Sequence, residues 1–116
     1  DDLDLCSVLT IEPRALWRDL HEDKPPLVID MREPHKCQRA HIPDAELIGL
    51  PELLDDAQIP QDRRVVLVCC EGRRSTWIAA VLRRRGFDNV YVLHGGAKAW
   101  EQEDLPEAVR RGESDA

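Results

Sequence analysis

Residues 65–75 read Val-Val-Leu-Val-Cys-Cys-Glu-Gly-Arg-Arg-Ser, and this stretch decides the fold. Its first four residues favour β-structure and contain no polar interruption, which predicts a buried strand over 65–68. A helical pattern follows at once: it starts near Ser75–Thr76 and has apolar residues on one face through 78–82. Gly86 is placed to end that helix. A strand that passes directly into a helix indicates an α/β unit with a parallel sheet.

The rest of the chain continues this alternation. Short apolar runs predict strands over 27–30, 46–48 and 90–93, and the helices are expected over 13–21, 34–40, 51–57 and 97–103. The predicted fold class is therefore α/β: one domain with a central, mostly parallel sheet of about five short strands, flanked by helices on both faces. We expect the domain to span residues 5–107, with flexible polar ends at 1–4 and 108–116.

Composition places the chain among soluble globular domains. It has 116 residues, of which 42% are hydrophobic and 34% are charged. The longest apolar run is far shorter than the roughly 20 residues that a membrane helix needs, so we expect no membrane partner. Four cysteines at irregular spacings are too few for a secreted disulfide framework. We therefore expect a reducing, cytoplasmic location.

The charge is acidic overall but uneven along the chain. The net charge of −7 argues against nucleic acid as a partner. Residues 63–85 nevertheless contain seven arginines and one acid, which makes them a candidate anion site. Arg83–Arg85 also fit the negative end of the predicted helix dipole, an ordinary structural role. Arg73 and Arg74 do not, and they need another explanation.

The residues after the central strand carry nucleophilic chemistry. Cys69 is predicted at the point where backbone N–H groups and a helix N-terminus stabilise an anion, which favours the thiolate, the nucleophilic form of cysteine. Gly72 permits a tight loop, and Arg73 and Arg74 would attract an anionic substrate. The alternative is that Cys69 is a small buried hydrophobic residue. The glycine and two arginines that follow favour the functional interpretation.

Two adjacent thiols compete for the role of nucleophile. Neighbouring side chains of a strand point to opposite faces, so Cys69 and Cys70 cannot share one pocket if the strand persists to Cys69. We expect Cys69 to be the nucleophile and Cys70 to be a bystander or a secondary thiol. A third cysteine, Cys37, lies near His35 and His41, but these residues lack the four-ligand spacing of a closed metal site. We expect no metal site.

Four motifs, in order, resemble those of the single-domain rhodaneses, a family of sulfurtransferases. Residues 27–33, Leu-Val-Ile-Asp-Met-Arg-Glu, resemble that family's strand ending in Asp-x-Arg-Glu. Residues 41–45 resemble its His-Ile-Pro-Gly-Ala turn, with Asp44 in place of glycine. Residues 69–75, Cys-x-x-Gly-x-Arg-Ser, resemble its active-site loop, and residues 95–100 resemble its Gly-Gly-x-x-x-Trp element.

The resemblance implies a persulfide mechanism. Cys69 would take the outer sulfur of thiosulfate or of a protein persulfide and pass it to a thiophilic acceptor, such as a small thiol or a protein thiol. The backbone amides of residues 70–74 would hold the persulfide. The implied substrate-binding residues are Cys70, Glu71, Gly72, Arg73, Arg74 and Ser75. Asp30 and Arg32 rank second, as bracing residues, and the resemblance implies no metal or organic cofactor.

Two other functions stay open. One is a persulfide carrier or interaction module that relays sulfur between partner proteins. The more distant one is a cysteine-based phosphatase, whose Cys-x5-Arg loop needs an arginine six positions after the cysteine. Ser75 stands at that position after Cys69. The oligomeric state is left open by the sequence.

Overall fold

The structure is a computed structural model that describes residues 4–32, 40–48 and 59–109. A short 3-10 helix, Leu5–Ser7, opens the described chain. The strands are β1 (Leu9–Ile11), β2 (Leu27–Asp30), β3 (Ala40–His41), β4 (Glu46–Leu47), β5 (Val65–Val68), β6 (Val90–Leu93) and β7 (Ala108–Val109). The α-helices of the described residues are α1 (Pro13–Asp19), α2 (Arg73–Arg84) and α3 (Gly96–Gln102).

Five of the strands form one sheet in the order β1-β6-β5-β2-β4, and every neighbouring pair is parallel. Strand β5 lies at the centre, between β6 and β2. All four of its residues, Val65–Val68, are buried. Burial of every residue is characteristic of a parallel strand whose two faces are both covered. The predicted α/β class with a parallel sheet is confirmed.

Helices cover both faces of the sheet. This arrangement is seen in the packing of β5, whose alternate residues belong to two different apolar clusters. Val65 and Leu67 pack in a cluster with three buried apolar residues of α2, Ile78, Ala79 and Leu82. Val66 and Val68 pack in the other cluster, with the buried Trp100 of α3 and an apolar residue of α1. The predicted two-sided packing is therefore confirmed. It leaves the carboxyl edge of the sheet as the place where loops and helix N-termini meet.

The edge strand β1 was missed by the sequence analysis. Residues 9–11 pair in parallel with β6, with Thr10 opposite Val92. The segment Leu-Thr-Ile is only three residues long and none of the three is buried, so it carries no strong strand pattern. A partner distant in sequence, and not local propensity, makes it a strand.

Several element boundaries differ from the predictions. Helix α2 begins at Arg73 and not near Ser75–Thr76, because Gly72 takes the N-cap position with a left-handed φ of 94°. Helix α1 ends at Asp19, before the predicted His21. Gly86 follows the end of α2 with φ of 105°, as predicted. The predicted helices over 34–40 and 51–57 lie outside the described residues, except that Ala40 begins strand β3.

A second, two-stranded sheet joins the far end of the described chain to its middle. Strands β3 and β7 pair antiparallel, with Ala40 opposite Val109 and His41 opposite Ala108. Residues 108–109 therefore form a strand just beyond position 107, where the sequence analysis placed the domain boundary. The boundary itself stays a prediction. Within the described ranges, no helix has both the length and the apolar character that crossing a bilayer requires.

Candidate active site

The candidate nucleophile follows the central strand without a spacer. Strand β5 ends at Val68, Cys69 is the next residue, and α2 begins at Arg73. We call residues 69–72 the cysteine loop. Because β5 is central and parallel to its neighbours, this loop lies at the carboxyl edge of the sheet, where open α/β folds bind their ligands.

The Cys69 sulfur accepts hydrogen bonds from the start of α2. Its Sγ atom lies 3.1 Å from the backbone nitrogen of Gly72 and 3.4 Å from that of Ser75. The Ser75 hydroxyl oxygen lies 3.2 Å from the same sulfur. Cys69 is 7% exposed, and Ser75 is completely buried. Backbone N–H groups at a helix N-terminus stabilise negative charge, so this geometry suits a thiolate or a persulfide anion.

Glycine geometry brings the loop and helix α3 together. Gly96 has a left-handed φ of 68°, and a Cβ atom built on it would lie 2.5 Å from the carbonyl oxygen of Cys69. The absent side chain lets the N-terminus of α3 approach the loop. There the Ala97 amide donates to the Cys69 carbonyl at 2.8 Å, and the Lys98 amide donates to the Cys70 carbonyl at 3.0 Å. The Gly-Gly-x-x-x-Trp element of residues 95–100 was the sequence signal for this contact.

The loop opens onto a cavity of about 210 Å³, which we call the cysteine cavity. Its lining brings together three arginines, two cysteines, one glutamate and one methionine. These residues are Arg32, Arg73, Arg74, Cys69, Cys70, Glu71 and Met31. Most of the sequence-predicted site residues therefore surround one space. Gly72 and Ser75 belong to the site through their hydrogen bonds to the Cys69 sulfur.

The cavity carries positive charge. Arg73 and Arg74 are exposed and form no ion pair with any described residue. The acid of the lining, Glu71, is instead engaged by Lys98, at 3.3 Å between Nζ and Oε2. An anion that enters the cavity therefore meets two guanidinium groups that are not neutralised by neighbouring described side chains. This arrangement fits capture of an anionic substrate.

A buried ion pair braces the opposite wall. Arg32 binds Asp30 with its Nη2 atom 2.7 Å from Oδ2, and its Nε and backbone N–H reach Oδ1, both at 3.0 Å. Asp30 is 1% exposed, and the Arg32 side chain is 7% exposed. Asp30 ends β2 next to β5, but only Arg32 lines the cavity. The pair fits the predicted bracing role.

The end of β5 decides how Cys69 and Cys70 are placed relative to each other. Strand alternation would separate the two side chains only if β5 reached Cys69, but β5 ends at Val68 and the chain bends at Cys70. Strand alternation therefore does not apply to these two residues, and Cys70 is exposed and lines the same cavity as Cys69.

No metal cluster occurs in the part of the chain that the structure describes. Two of the three residues that were weighed as metal ligands, His35 and Cys37, lie outside the described residues.

Comparison with known proteins identifies relatives of this architecture. The family model for the rhodanese-like domain matches residues 12–103. A sulfurtransferase from Allochromatium vinosum is 34% identical over 105 residues, covering 88% of this chain and 96% of that protein. The thiosulfate sulfurtransferase GlpE of Pseudoalteromonas translucida is 35% identical over 81 residues, covering 68% of this chain and 77% of that protein.

Two further similarities concern a longer protein and a solved structure. The probable adenylyltransferase/sulfurtransferase MoeZ of Mycobacterium tuberculosis is 36% identical over 105 residues. That match covers 86% of this chain and 26% of the other protein, so the chain spans about a quarter of that relative's length. The crystal structure of a rhodanese-like domain protein from Staphylococcus aureus superposes with a TM-score of 0.72 at 28% identity, over 80% of this chain and 91% of that one.

Proposed function

The chain belongs to the rhodanese-like domain family, and from this premise we propose that it is a sulfurtransferase that carries sulfane sulfur as a Cys69 persulfide. The donor is thiosulfate or a protein persulfide, and the acceptor is a thiophilic nucleophile. One observation carries the proposal. The Cys69 sulfur receives N–H donors from Gly72 and Ser75 beside a cavity that also contains Arg73 and Arg74.

In the first step, the Cys69 thiolate attacks the outer sulfur of thiosulfate. A bond forms between Sγ and that sulfur, the S–S bond of thiosulfate breaks, and its electron pair leaves with sulfite. The negative charge that starts on the thiolate ends on the outer sulfur of the persulfide. The amides of Gly72 and Ser75 stabilise the attacking thiolate without reorganisation, because the loop and the start of α2 already hold them at the Cys69 sulfur.

In the second step, an acceptor nucleophile attacks the outer sulfur of the persulfide. The new bond joins this sulfur to the acceptor, and Cys69 leaves as a thiolate, ready for another donor. The two steps together return Cys69 to the thiolate, so the complete cycle needs no external oxidant or reductant. Cysteine is well suited to both roles, since its thiolate is a strong nucleophile and a good leaving group.

The positive charge of the cavity favours an anionic sulfur donor. Thiosulfate is a small dianion, and the cavity presents Arg73 and Arg74 with no carboxylate partner among the described residues. Charge-assisted hydrogen bonds to such cations contribute about 1.5–3 kcal/mol each when well formed. The relative named thiosulfate sulfurtransferase supports this donor. The absence of an arginine six residues after Cys69, where Ser75 stands, argues against a phosphatase.

The decisive experiment loads the protein with sulfur. Wild type is incubated with thiosulfate, and intact-mass spectrometry is expected to show the gain of one sulfur, which cyanide releases as thiocyanate. Cys69→Ser is expected to lose this sulfur completely, whereas Cys6→Ser, which removes an exposed thiol outside the cavity lining, keeps it. A Cys69→Ser protein that still carries cyanide-labile sulfur would refute the assignment. Steady turnover with cyanide separates an enzyme from a carrier, which would load once and stop.

A further inference from the structure

Two thiols of different accessibility share the cysteine cavity. Cys69 is buried and Cys70 is exposed, and both residues line the same space of about 210 Å³. The remaining free thiol of the described residues, Cys6, is exposed and is not part of this lining. One cysteine of this pair is therefore shielded from solvent, and the other lies at the molecular surface.

Hydrogen bonds fix the backbone of both cysteines, but only the Cys69 side chain is also held by hydrogen bonds. The carbonyls of Cys69 and Cys70 accept from consecutive amides at the start of α3, at 2.8 and 3.0 Å. The Cys69 sulfur is further held by its contacts with Gly72 and Ser75. The Cys70 thiol makes no hydrogen bond with any described residue, so it can rotate about its side-chain bonds.

We propose that Cys70 is a second catalytic thiol, which relays the sulfane sulfur from Cys69 to an acceptor thiol carried by a protein. The inference rests on the proposed function and names the acceptor class for which the relay is needed. Cyanide and thiosulfate are small enough to enter the cavity. A thiol on a folded protein is surrounded by structure that is too bulky to enter the cavity. Such a thiol therefore reaches the exposed Cys70 and not the buried Cys69.

The relay step is balanced without an oxidant or a reductant. The Cys70 thiol loses its proton to solvent, to which it is exposed, and the resulting thiolate attacks the outer sulfur of the Cys69 persulfide. A bond forms between Cys70 Sγ and that sulfur, while the S–S bond to Cys69 breaks. The Cys69 sulfur leaves as a thiolate among the N–H donors that stabilise it. The acceptor thiolate then takes the same sulfur from Cys70.

The first experiment locates the sulfur. Wild-type protein is treated with limiting thiosulfate, alkylated with iodoacetamide at increasing times and digested with trypsin. Fragmentation of the peptide that contains both cysteines distinguishes a persulfide on Cys69 from one on Cys70. We expect sulfur on Cys69 first and on both residues later. Sulfur confined to Cys69 at every time would overturn the relay, and sulfur at neither residue would overturn the proposed function as well.

The second experiment compares acceptors of different bulk. Sulfur transfer is measured to cyanide and to thiol groups fixed on the surface of a cross-linked dextran polymer, whose bulk cannot enter the cavity, and the ratio of the two rates is taken for each variant. Cys70→Ser and Cys70→Ala are both expected to lower the ratio of polymer to cyanide rate by roughly tenfold or more. Cys6→Ser is the matched control and keeps the wild-type ratio.

The ratio of the two rates also distinguishes loss of the relay from a general loss of activity. A variant that merely disturbs the loop slows transfer to both acceptors alike and keeps the ratio, whereas loss of the relay slows transfer to the bulky thiol by a larger factor and lowers the ratio. An unchanged ratio in both Cys70 variants would overturn the inference. A wild type that transfers sulfur to neither acceptor would instead refute the proposed function.

Discussion

The Nη2 atom of Arg32 lies 2.7 Å from Oδ2 of Asp30 in a site where both side chains are almost completely removed from solvent. An exposed pair at the same distance, Arg14 with Glu103, offers a direct comparison within one chain. A buried charge that loses its partner keeps its desolvation cost, whereas an exposed one is hydrated again. Loss of the Asp30 charge is therefore expected to destabilise the folded protein far more than loss of the Glu103 charge.

Asp30→Asn is expected to destabilise the protein by about 3 kcal/mol, the lower end of the range for breaking a buried ion pair. Glu103→Gln is the control and is expected to change the free energy of unfolding by less than about 1 kcal/mol. Urea unfolding of both variants measures the difference. Equal effects of the two substitutions would show that burial does not determine the strength of the pair.

Arg74→Ala is expected to raise the KM for thiosulfate by roughly tenfold or more, since it removes a charge-assisted contact to the dianion. Arg83→Ala provides the matched control, because Arg83 is an exposed arginine in the last turn of the same helix. Added salt is expected to weaken thiosulfate binding more in wild type than in Arg74→Ala. Identical KM values and salt slopes for wild type and Arg74→Ala would show that backbone groups alone capture the donor.

Gly96→Ala is expected to lower sulfur transfer by at least roughly tenfold, because its Cβ atom would lie 2.5 Å from the Cys69 carbonyl and displace the cysteine loop. Gly86→Ala separates this effect from backbone strain. Gly86 also has a positive φ, of 105°, but a Cβ atom there meets nothing within 4 Å. Both variants are expected to lose about 1–2 kcal/mol of stability from the left-handed conformation. Full thiosulfate:cyanide activity in Gly96→Ala would contradict the proposed contact between loop and helix.

The ionisation of Asp19 makes the free energy of unfolding depend on pH in the acid range. Burial alone raises the pKa of this carboxyl, but hydrogen bonds and positive charge from Arg64 and Arg18 outweigh that effect and hold the pKa below its ordinary value of 3.8. A lowered pKa in the folded state means that the carboxylate contributes stability at neutral pH. This contribution is lost as the pH falls from about 3.8 through the folded-state value.

Asp19→Asn is therefore expected to lower the free energy of unfolding at neutral pH and to approach wild type below the folded-state pKa. Chemical unfolding across this pH range measures the convergence. Asp23→Asn, an exposed acid of the following loop, is the control and is expected to differ little from wild type throughout. A constant gap between Asp19→Asn and wild type would show that the Arg64 contact acts through shape and not through charge.

Local signals in the sequence predicted the centre of the molecule. The apolar run 65–68 gave the central strand, and the cysteine, glycine and arginines that follow gave the candidate site. These features could be predicted because a strand, a tight turn and a helix start each depend on residues adjacent in the chain. The start of α2 was placed two or three residues too late, because Gly72 caps the helix by its backbone geometry and not by a side-chain pattern.

Contacts between distant segments could not be predicted in the same way. Strand β1 exists because Leu9–Ile11 pairs with Tyr91–Leu93, and Gly96 matters because α3 approaches the carbonyls of Cys69 and Cys70. The position of Cys70 depends on where β5 ends, and one residue decides whether adjacent thiols face apart or share a cavity.

The sequence by itself determined the α/β class, the central strand and the position of Cys69 at its carboxyl end. Each of these follows from short-range patterns of apolar, glycine and charged residues. Only the tertiary structure decided that Gly72 and Ser75 donate to the Cys69 sulfur and that Arg32 and Cys70 reach the same cavity. The physical reason is that hydrogen bonds and cavities depend on positions to within an ångström, and packing of segments remote in sequence fixes those positions.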